Sequence, residues 1–454
     1  MAMATAQNTV PRPLNGDSQR GQAIHRLLQH LDSRQWWSPA RLRRQQLKDA
    51  RVLLRYARQY SPFYADRLQS FNLEAMDGEA FRRIPLLTRQ ELQASREQIA
   101  CRQVPEPHGR RLEYTTSGST GTPVTVDGTM LTSIIWSAIT MRDHLWHRRD
   151  HRLVNAAIRW QVDASAMAPE GRQLPDWGAP FTQFFATGPA CFLNSASPVD
   201  QQLAWLRRCD PHYLITHPSN LDALLHAGGD NGPELNRLRE IRTVGESLAD
   251  STRELARKKA GVQVVDFYTS QETGYIALQC PERSHYHVQS EYLLVEILDD
   301  QGQACAPGDV GRVVVTSLSN YAMPLIRYAI GDYAEVGASC ICGRGLPVLK
   351  RVLGRVRNLL THPDGSRSWP NFGMRDMLAV LPVRQFQVVQ HDLRRLELRL
   401  VVDSAVSPAQ EQQVKASLAR HLGFTGAIEI SYHQALERSA GGKFEDFVSL
   451  LHAS

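Results

Sequence analysis

The chain has 454 residues, 42% of them hydrophobic and 22% charged, which is the composition of an ordinary globular protein with roughly two or three domains. Its net charge of +6 comes from basic residues spread along the chain without interleaved aromatic residues, so no nucleic acid partner is expected. No apolar run approaches the ~20 residues of a membrane span, so we expect no membrane partner. The seven cysteines are too few and too scattered for a disulfide framework.

The first predicted elements are a tail and helices. The polar segment 1–22 lacks the apolar core of a signal peptide, so we expect a flexible tail and a cytoplasmic protein. Ser38 and Pro39 supply an N-cap and a first helical residue, and apolar residues at helical spacing follow them. Thr88 is in a position to cap a short second helix.

Residues 114–126 read YTTSGSTGTPVTV, a hydroxyl-rich, glycine-containing loop ahead of a β-branched run. Successive amides in such a turn form an anion-binding concavity, glycine allows close approach, and Ser/Thr hydroxyls add donors. The pattern indicates a phosphate site, although many Gly/Ser/Thr clusters are ordinary loops. Because a Walker P-loop requires a lysine that is absent here, the cation must come from elsewhere.

Beyond this loop, residues 130–146 predict a buried helix, and strands alternating with helices up to Tyr268 predict α/β layers. From about residue 286 the strands become shorter and alternate with Gly/Asp turns, which favours an antiparallel region. After Gly354 a strand pair, a helix and a further strand predict a compact α+β domain of about a hundred residues. We therefore expect a large domain over 23–353 and a small one over 354–454.

Six short stretches follow one another in a distinctive order: TSGSTGTP, TVGESL, DFYTSQE, RYAIGD, LGRVRN and SAGGKF. This order resembles the adenylate-forming superfamily of acyl-CoA synthetases, adenylation domains and luciferases. SPFY at 61–64 and MPLIRYAIGD at 323–332 resemble the phenylacetate–CoA ligase branch, which includes capsule-biosynthesis-type relatives. The resemblance implies a large multi-layer N-terminal domain with mixed sheets and a small mobile C-terminal domain.

The resemblance also implies a chemistry, in which a carboxylate is joined to the α-phosphate of ATP and then passed to CoA as a thioester. The phosphate loop would consist of Ser117, Gly118, Ser119, Thr120, Gly121 and Thr122. The other nucleotide contacts would come from Gly245, Glu246, Tyr268, Thr269, Gln271, Asp332 and Arg355. Within this set Tyr268 would stack on adenine and Asp332 would accept the ribose hydroxyls. Thr269 and Gln271 depart from the family, which usually has glycine and a hydroxyl residue there.

Glu272 and Lys443 are the implied catalytic residues. Glu272 would hold Mg²⁺, a hard cation that prefers oxygen ligands. Lys443 follows two glycines and resembles the lysine that the superfamily carries on a mobile C-terminal loop. Only six of the 52 basic residues are lysines, so a lysine at this position is informative. Its ammonium would supply the cation that the phosphate loop lacks.

A second metal is predicted from cysteine and histidine spacing. Cys340 and Cys342 form a Cys-x-Cys pair, and Cys280 precedes His285 and His287. Three cysteines and His287, with His285 in reserve, could form a closed structural Zn²⁺ site. The alternative is that the cysteines are small buried residues.

Three functions remain open from the residues. The first is an acid–CoA ligase, the second passes the acyl group to an amine or a carrier protein, and the third is a non-catalytic nucleotide-binding regulator. Trp136, within 134–147, indicates an aromatic or other apolar acid. The sequence leaves the acid's identity and the oligomeric state open.

Overall fold

The computed structural model describes residues 10–115, 123–160, 165–229, 232–355, 358–368, 370, 372, 377, 380–381, 383–402, 404–436 and 444–452. The N-terminal region is helical, with α1 Gln19–Arg34, α2 Pro39–Tyr60, α3 Pro62–Arg67, α4 Gly78–Arg82, α5 Arg89–Ala94 and α6 Arg96–Ile99. The Ser38 side chain accepts from the amide of Arg41 at the start of α2, and Thr88 forms a capping box with Glu91 at α5. Both predicted caps are therefore present.

A two-stranded hairpin and a long helix follow. Strands β1 Arg111–Thr115 and β2 Thr125–Thr129 pair antiparallel, and the predicted phosphate loop joins them. Helix α7 spans Met130–Trp146, as predicted, and begins at a capping box formed by Thr129 and Thr132. Short 3₁₀ turns occur at Glu106–His108, Phe181–Gln183 and Leu450–His452.

The central part alternates strands and helices: β3 Asn155–Arg159, β4 Arg172–Leu174, β5 Ala190–Asn194, α8 Val199–Cys209, β6 Tyr213–Thr216, α9 Pro218–Ala227, β7 Glu240–Val244, α10 Asp250–Ala260 and β8 Gln263–Ser270. Strands β5, β3, β6, β7 and β8 are parallel neighbours in that order. This arrangement is the α/β layer that the alternation predicts.

The same sheet continues with antiparallel strands β9 Gly274–Gln279, β10 Tyr286–Val288, β11 Leu293–Leu298, β12 Val310–Ser317, β13 Tyr328–Val336 and β14 Val348–Arg355. Within the described residues it has twelve strands, ordered β11-β12-β13-β14-β10-β9-β8-β7-β6-β3-β5-β4. The mixed sheet and the separate C-terminal sheet confirm the predicted fold class.

The C-terminal elements are β15 Leu360–Thr361, β16 Arg367–Ser368, β17 Val383–Asp392, β18 Arg395–Val402, α11 Pro408–Leu422, β19 Ala427–Tyr432 and β20 Phe447–Ser449. Four of them form a sheet in the order β19-β18-β17-β20. A separate apolar core forms between this sheet and α11, with Leu396, Leu398 and Leu418 buried.

The large domain extends beyond both of its predicted ends in the sequence. Helix α1 begins at Gln19, so residues 19–22 of the expected tail are helical, and Ser18 caps them. Gly354 and Arg355 are the last residues of β14 and pair with β13, because the large sheet continues past the predicted boundary. None of the helices in the described ranges is long and apolar enough to cross a membrane. The cytoplasmic location stays a prediction.

Candidate active site

A cleft of about 1170 Å³ opens where the parallel strands end. His217, Gly245 and Thr269 lie at the carboxyl ends of β6, β7 and β8 and line its floor. Phe444 and Phe447 from the C-terminal region also line it. Ligands of open α/β sheets bind at this edge, so the fold itself points to a ligand site here.

Asp332 is held in this cleft by two neighbours. It follows Gly331, whose φ of +92° is a conformation that glycine adopts readily. The Tyr268 hydroxyl donates to Asp332 Oδ2 at 2.6 Å, and Arg355 Nε lies 3.7 Å from Oδ1. Strands β13 and β14 place Asp332 and Arg355 directly opposite each other. The structure therefore brings three predicted nucleotide residues into one contact group.

The electrostatics of this group follow from its burial. Burial raises the pKa of Tyr268 well above its usual range, and the Asp332 carboxylate reinforces the shift, so the phenol keeps its proton. Burial alone would lower the pKa of Arg355, but the charges of Asp332, Glu272 and Glu445 raise it. The guanidinium therefore remains a fixed positive charge in the cleft.

Glu246 joins the two sides of the cleft. It follows Gly245, whose φ is +88°. Its Oε2 accepts from the amide of Ser219 at 2.9 Å, in the first turn of α9. Its Oε1 accepts from the amide of Phe444 at 2.8 Å. Since Phe444 is the residue after Lys443, this carboxylate holds the C-terminal segment against the large sheet.

Glu272 lies in the turn between β8 and β9 and is buried. Its Oε1 lies 3.4 Å from Arg89 Nη1, at the start of α5. Thr269 and Gln271 line the same cleft, so both departures from the family pattern face the candidate site. Ser117–Thr122 and Lys443 lie outside the described residues.

No protein-family model matches the chain. A phenylacetate–coenzyme A ligase of Thermus thermophilus is 27% identical over 173 residues, which are 37% of this chain and 39% of the relative. An uncharacterized acyl–CoA ligase, YhfT, of Bacillus subtilis is 29% identical over 147 residues, 31% of this chain and 29% of that protein. The chain thus spans well under half the length of these curated relatives.

The fold is shared over most of its length with 2-hydroxyisobutyryl-CoA ligase. The crystal structure of that enzyme in the postadenylation state with 2-HIB-AMP has a TM-score of 0.71, at 17% identity, over 92% of this chain and 91% of the other. Its thioesterification state with 2-HIB-AMP and CoA gives a TM-score of 0.58. The sequence relatives and the shared fold support the predicted resemblance to the phenylacetate–CoA ligase-like branch of the adenylate-forming superfamily.

The chain also brings the predicted cysteines and histidines together, but the group whose ligand atoms all lie close to one another contains the reserve ligand His285 instead of Cys342. Cys280 Sγ and Cys340 Sγ lie 3.8 Å apart, and Cys342 Sγ lies 3.3 Å from His287 Nε2. The ligand atoms of Cys280, His285, His287 and Cys340 all lie within 4.8 Å of one another. Strand β10, which contains His287, pairs with both β9 and β14 and so brings the two cysteine segments together.

Two contacts in the cleft were not predicted. Arg89 reaches Glu272 from 183 positions away, and the amide of Ser219 reaches Glu246 from 27 positions away. Neither contact has a local sequence signal, because each depends on how α5 and α9 pack against the sheet. Pro218 stands at the first helical position of α9, where proline is favoured.

Proposed function

We propose that the chain is an ATP-dependent carboxylic acid ligase that forms an acyl-adenylate and then an acyl-CoA thioester. In the first step a carboxylate oxygen of the acid bonds to the α-phosphorus of ATP, and the bond to pyrophosphate breaks. In the second step the CoA sulfur bonds to the acyl carbon, the thiol gives up its proton, and AMP leaves.

The observation that carries this proposal is the contact group in the cleft. Asp332, Tyr268 and Arg355 meet within hydrogen-bonding and ion-pair range, and Glu246 ties the segment next to Lys443 to the same place. A nucleotide needs such a set, with a carboxylate for the ribose hydroxyls, an aromatic ring for the base and a cation for the phosphates.

Each residue then has a distinct role in the proposal. Asp332 accepts from the ribose hydroxyls and Tyr268 lies against the adenine. Arg355 and Lys443 stabilise the negative charge that develops on the phosphates. Glu272, a buried oxygen donor, would hold Mg²⁺, which when bound neutralises part of the phosphate charge. Ser117–Thr122 would supply amide and hydroxyl donors to the phosphates.

The proposal is tested with a panel of carboxylic acids in ATP–pyrophosphate exchange, repeated with CoA and with amines as acceptors. We expect acid-dependent exchange and a CoA thioester product. Exchange with an amide product and no thioester would instead identify an amide-forming enzyme. Absence of exchange with every acid, in protein that binds ATP, would indicate a nucleotide-binding regulator.

For the cysteine and histidine cluster we propose one structural Zn²⁺ held by Cys280, His287, Cys340 and Cys342. With Zn–S bonds of about 2.3 Å, two thiolates of a tetrahedral site lie about 3.8 Å apart, and Cys280 and Cys340 have this separation. The hydrogen bond from Cys280 lowers the pKa of the Cys342 thiol, which favours the thiolate form that binds metal. His287 Nδ1 and His285 Nε2 are buried without a hydrogen-bond partner in the described residues.

Purified protein, prepared without chelator, is expected to contain about one Zn²⁺ per chain. Cys342→Ser should lose the metal and lower the melting temperature, because a structural site contributes folding free energy. His285→Asn is the matched control and should keep the metal. Metal analysis measures both. If Cys342→Ser keeps the metal and His285→Asn loses it, His285 takes the place of Cys342 in the ligand set. Absence of metal in the wild type would show that the cysteines are packing residues.

We also propose that the C-terminal domain rotates between the two half-reactions about a hinge near Asn358, while Gly354 and Arg355 stay in the large sheet. A loop that covers the α-phosphate in the first step would block the CoA thiol in the second. Asn358 lies between the last strand of the large sheet and β15, and its Nδ2 donates to the carbonyl of Phe447 at 2.7 Å. The structural neighbour solved in two catalytic states supports this proposal.

Asn358→Pro is expected to slow thioester formation more than pyrophosphate exchange, because proline fixes φ and destabilises the domain orientation used for thioester formation. The rate of that step should fall by about tenfold for each 1.4 kcal/mol of destabilisation. Asn358→Ala is the control, since it removes the side-chain hydrogen bond to Phe447 but leaves φ free. Single-turnover assays of each half-reaction measure the difference. An equal loss in both half-reactions would place the hinge elsewhere.

A further inference from the structure

Part of the cleft lies between helix α7 and one face of the parallel strands. Trp136, Thr140 and His144 are spaced four residues apart and form one stripe of α7. They line the cleft opposite residues on the facing side of the sheet, which are Asn155, Arg159, Ile215, Arg242, Val244 and Phe267. This pocket adjoins the nucleotide residues, so it is the natural place for the acid in the proposed function.

The wall of the pocket next to β8 is aromatic. The Trp136 and Tyr275 rings lie 4.7 Å apart between centroids, and Tyr275 lies 5.6 Å from Phe267. The Tyr275 hydroxyl is satisfied by Thr140 Oγ1 at 3.2 Å. An apolar or aromatic body of an acid would contact this wall.

The far wall carries an unpaired charge. Arg159 is the last residue of β3, and its side chain is accessible from the cleft. Among the described residues its guanidinium has no ion-pair or hydrogen-bond partner. The surrounding protein atoms lower the pKa of the guanidinium, yet an arginine stays charged. Because the side chain is exposed to the cleft, this charged fork is open to an anionic group of a ligand.

The charges around Arg159 do not supply that anion. Arg242 and Arg149 both donate to Asp143 Oδ2 at 2.7 Å, and Arg149 also donates to Glu240 at 2.6 Å. These two carboxylates are therefore already matched by two arginines. Counting only the residues that the structure describes, the positive charge of Arg159 remains in excess at this end of the pocket.

His144 is a second, independent sign of a polar ligand here. It is only 2% exposed, and neither ring nitrogen has a hydrogen-bond partner in the described part of the chain. Burial, together with the charges of Arg242 and Arg149, holds the pKa of His144 well below its usual range. A neutral imidazole offers one donor and one acceptor, and buried groups of this kind are normally satisfied.

Distance separates Arg159 from the reacting carboxylate. Strands β3, β6, β7 and β8 are consecutive neighbours, so β3 lies three strand spacings from β8. At about 4.8 Å per spacing this is about 14 Å. The carboxylate to be adenylated belongs beside Tyr268 and Glu272, at the end of β8. Arg159 therefore faces the opposite end of a bound acid.

We propose that Arg159 makes this pocket selective for a carboxylic acid that carries a second anionic group at its far end, with an apolar or aromatic spacer between the two. The inference rests on the proposed adenylating function. It adds a specificity-determining residue and narrows the substrate class from apolar acids to diacids and related dianions.

The test compares acids that differ only in the second carboxylate: terephthalate against benzoate, and adipate against hexanoate. Wild type should show a higher kcat/KM in pyrophosphate exchange for the diacid of at least one pair. Arg159→Leu should lower kcat/KM for that diacid by about tenfold to a hundredfold, the range for a charged hydrogen bond, and leave its monoacid unchanged or improved. Arg159→Lys should restore part of the preference. Arg172→Leu, at an exposed arginine on β4, is the matched control.

Calorimetric binding of the same acids separates this inference from the proposed function. Binding of a diacid that is lost in Arg159→Leu, in protein without exchange activity, would support the pocket and overturn the ligase. Exchange that favours monoacids in wild type, or that falls equally for both acids in Arg159→Leu, would overturn the role of Arg159 and leave the ligase intact.

Discussion

Lys443→Ala is expected to lower the rate of acyl-adenylate formation by about 10²–10³ while the fold stays intact, the usual cost of losing one preorganised electrostatic contact. The phosphate loop at 114–126 contains no lysine, so its cation must come from another segment. The neighbouring residue Phe444 donates its amide to Glu246 Oε1 at 2.8 Å in the candidate site. The lysine would thus be delivered to the phosphates by the C-terminal segment.

Pyrophosphate exchange at saturating ATP measures this loss, and a thermal melt verifies the fold. Lys415→Ala is the matched control, because Lys415 is also a C-terminal lysine but lies on α11. Its exchange rate should equal that of the wild type. A folded Lys443→Ala variant with near-normal exchange would remove this residue from the catalytic set.

Asp332→Ala is expected to raise the KM for ATP by about 10²-fold or more, because two hydrogen bonds to a charged group are lost at about 1.5–3 kcal/mol each. The carboxylate is held by Tyr268 and Arg355, so it is already oriented before the ribose arrives. Its removal also leaves the buried Tyr268 hydroxyl without this acceptor.

Tyr268→Phe is the control for Asp332, since it removes the 2.6 Å hydrogen bond but keeps both the carboxylate and the ring. We expect an increase in KM of about tenfold or less, because the lost bond orients the carboxylate without contacting the ribose and an ordinary net hydrogen bond contributes about 0.5–1.5 kcal/mol. Calorimetric titration with ATP gives the affinities directly. An unchanged affinity in folded Asp332→Ala protein would assign the carboxylate a structural role.

The local structure of the helical and α/β parts could be predicted because its causes are local. The caps at Ser38 and Thr88 depend on residues within one turn, and the buried helix at 130–146 depends on a continuous apolar run. The family could be predicted because six stretches stand in a recognisable order. The start of the helix at Gln19 was missed because its first turn is polar, although Ile24, Leu28 and Leu31 recur at helical spacing and are buried.

The sequence by itself determined which chemistries are available: a hydroxyl-rich loop, a few lysines, an aspartate after the glycine at 331, and a set of cysteines and histidines. The tertiary structure decided which of these residues meet. Asp332 faces Arg355 because of the register of β13 and β14, and the cysteine segments meet because β10 pairs with two strands. In the described part of the chain Arg159 has no ion-pair partner, because Arg149 and Arg242 already pair with the carboxylate of Asp143. Register and packing arise from contacts between distant segments, which no local pattern specifies.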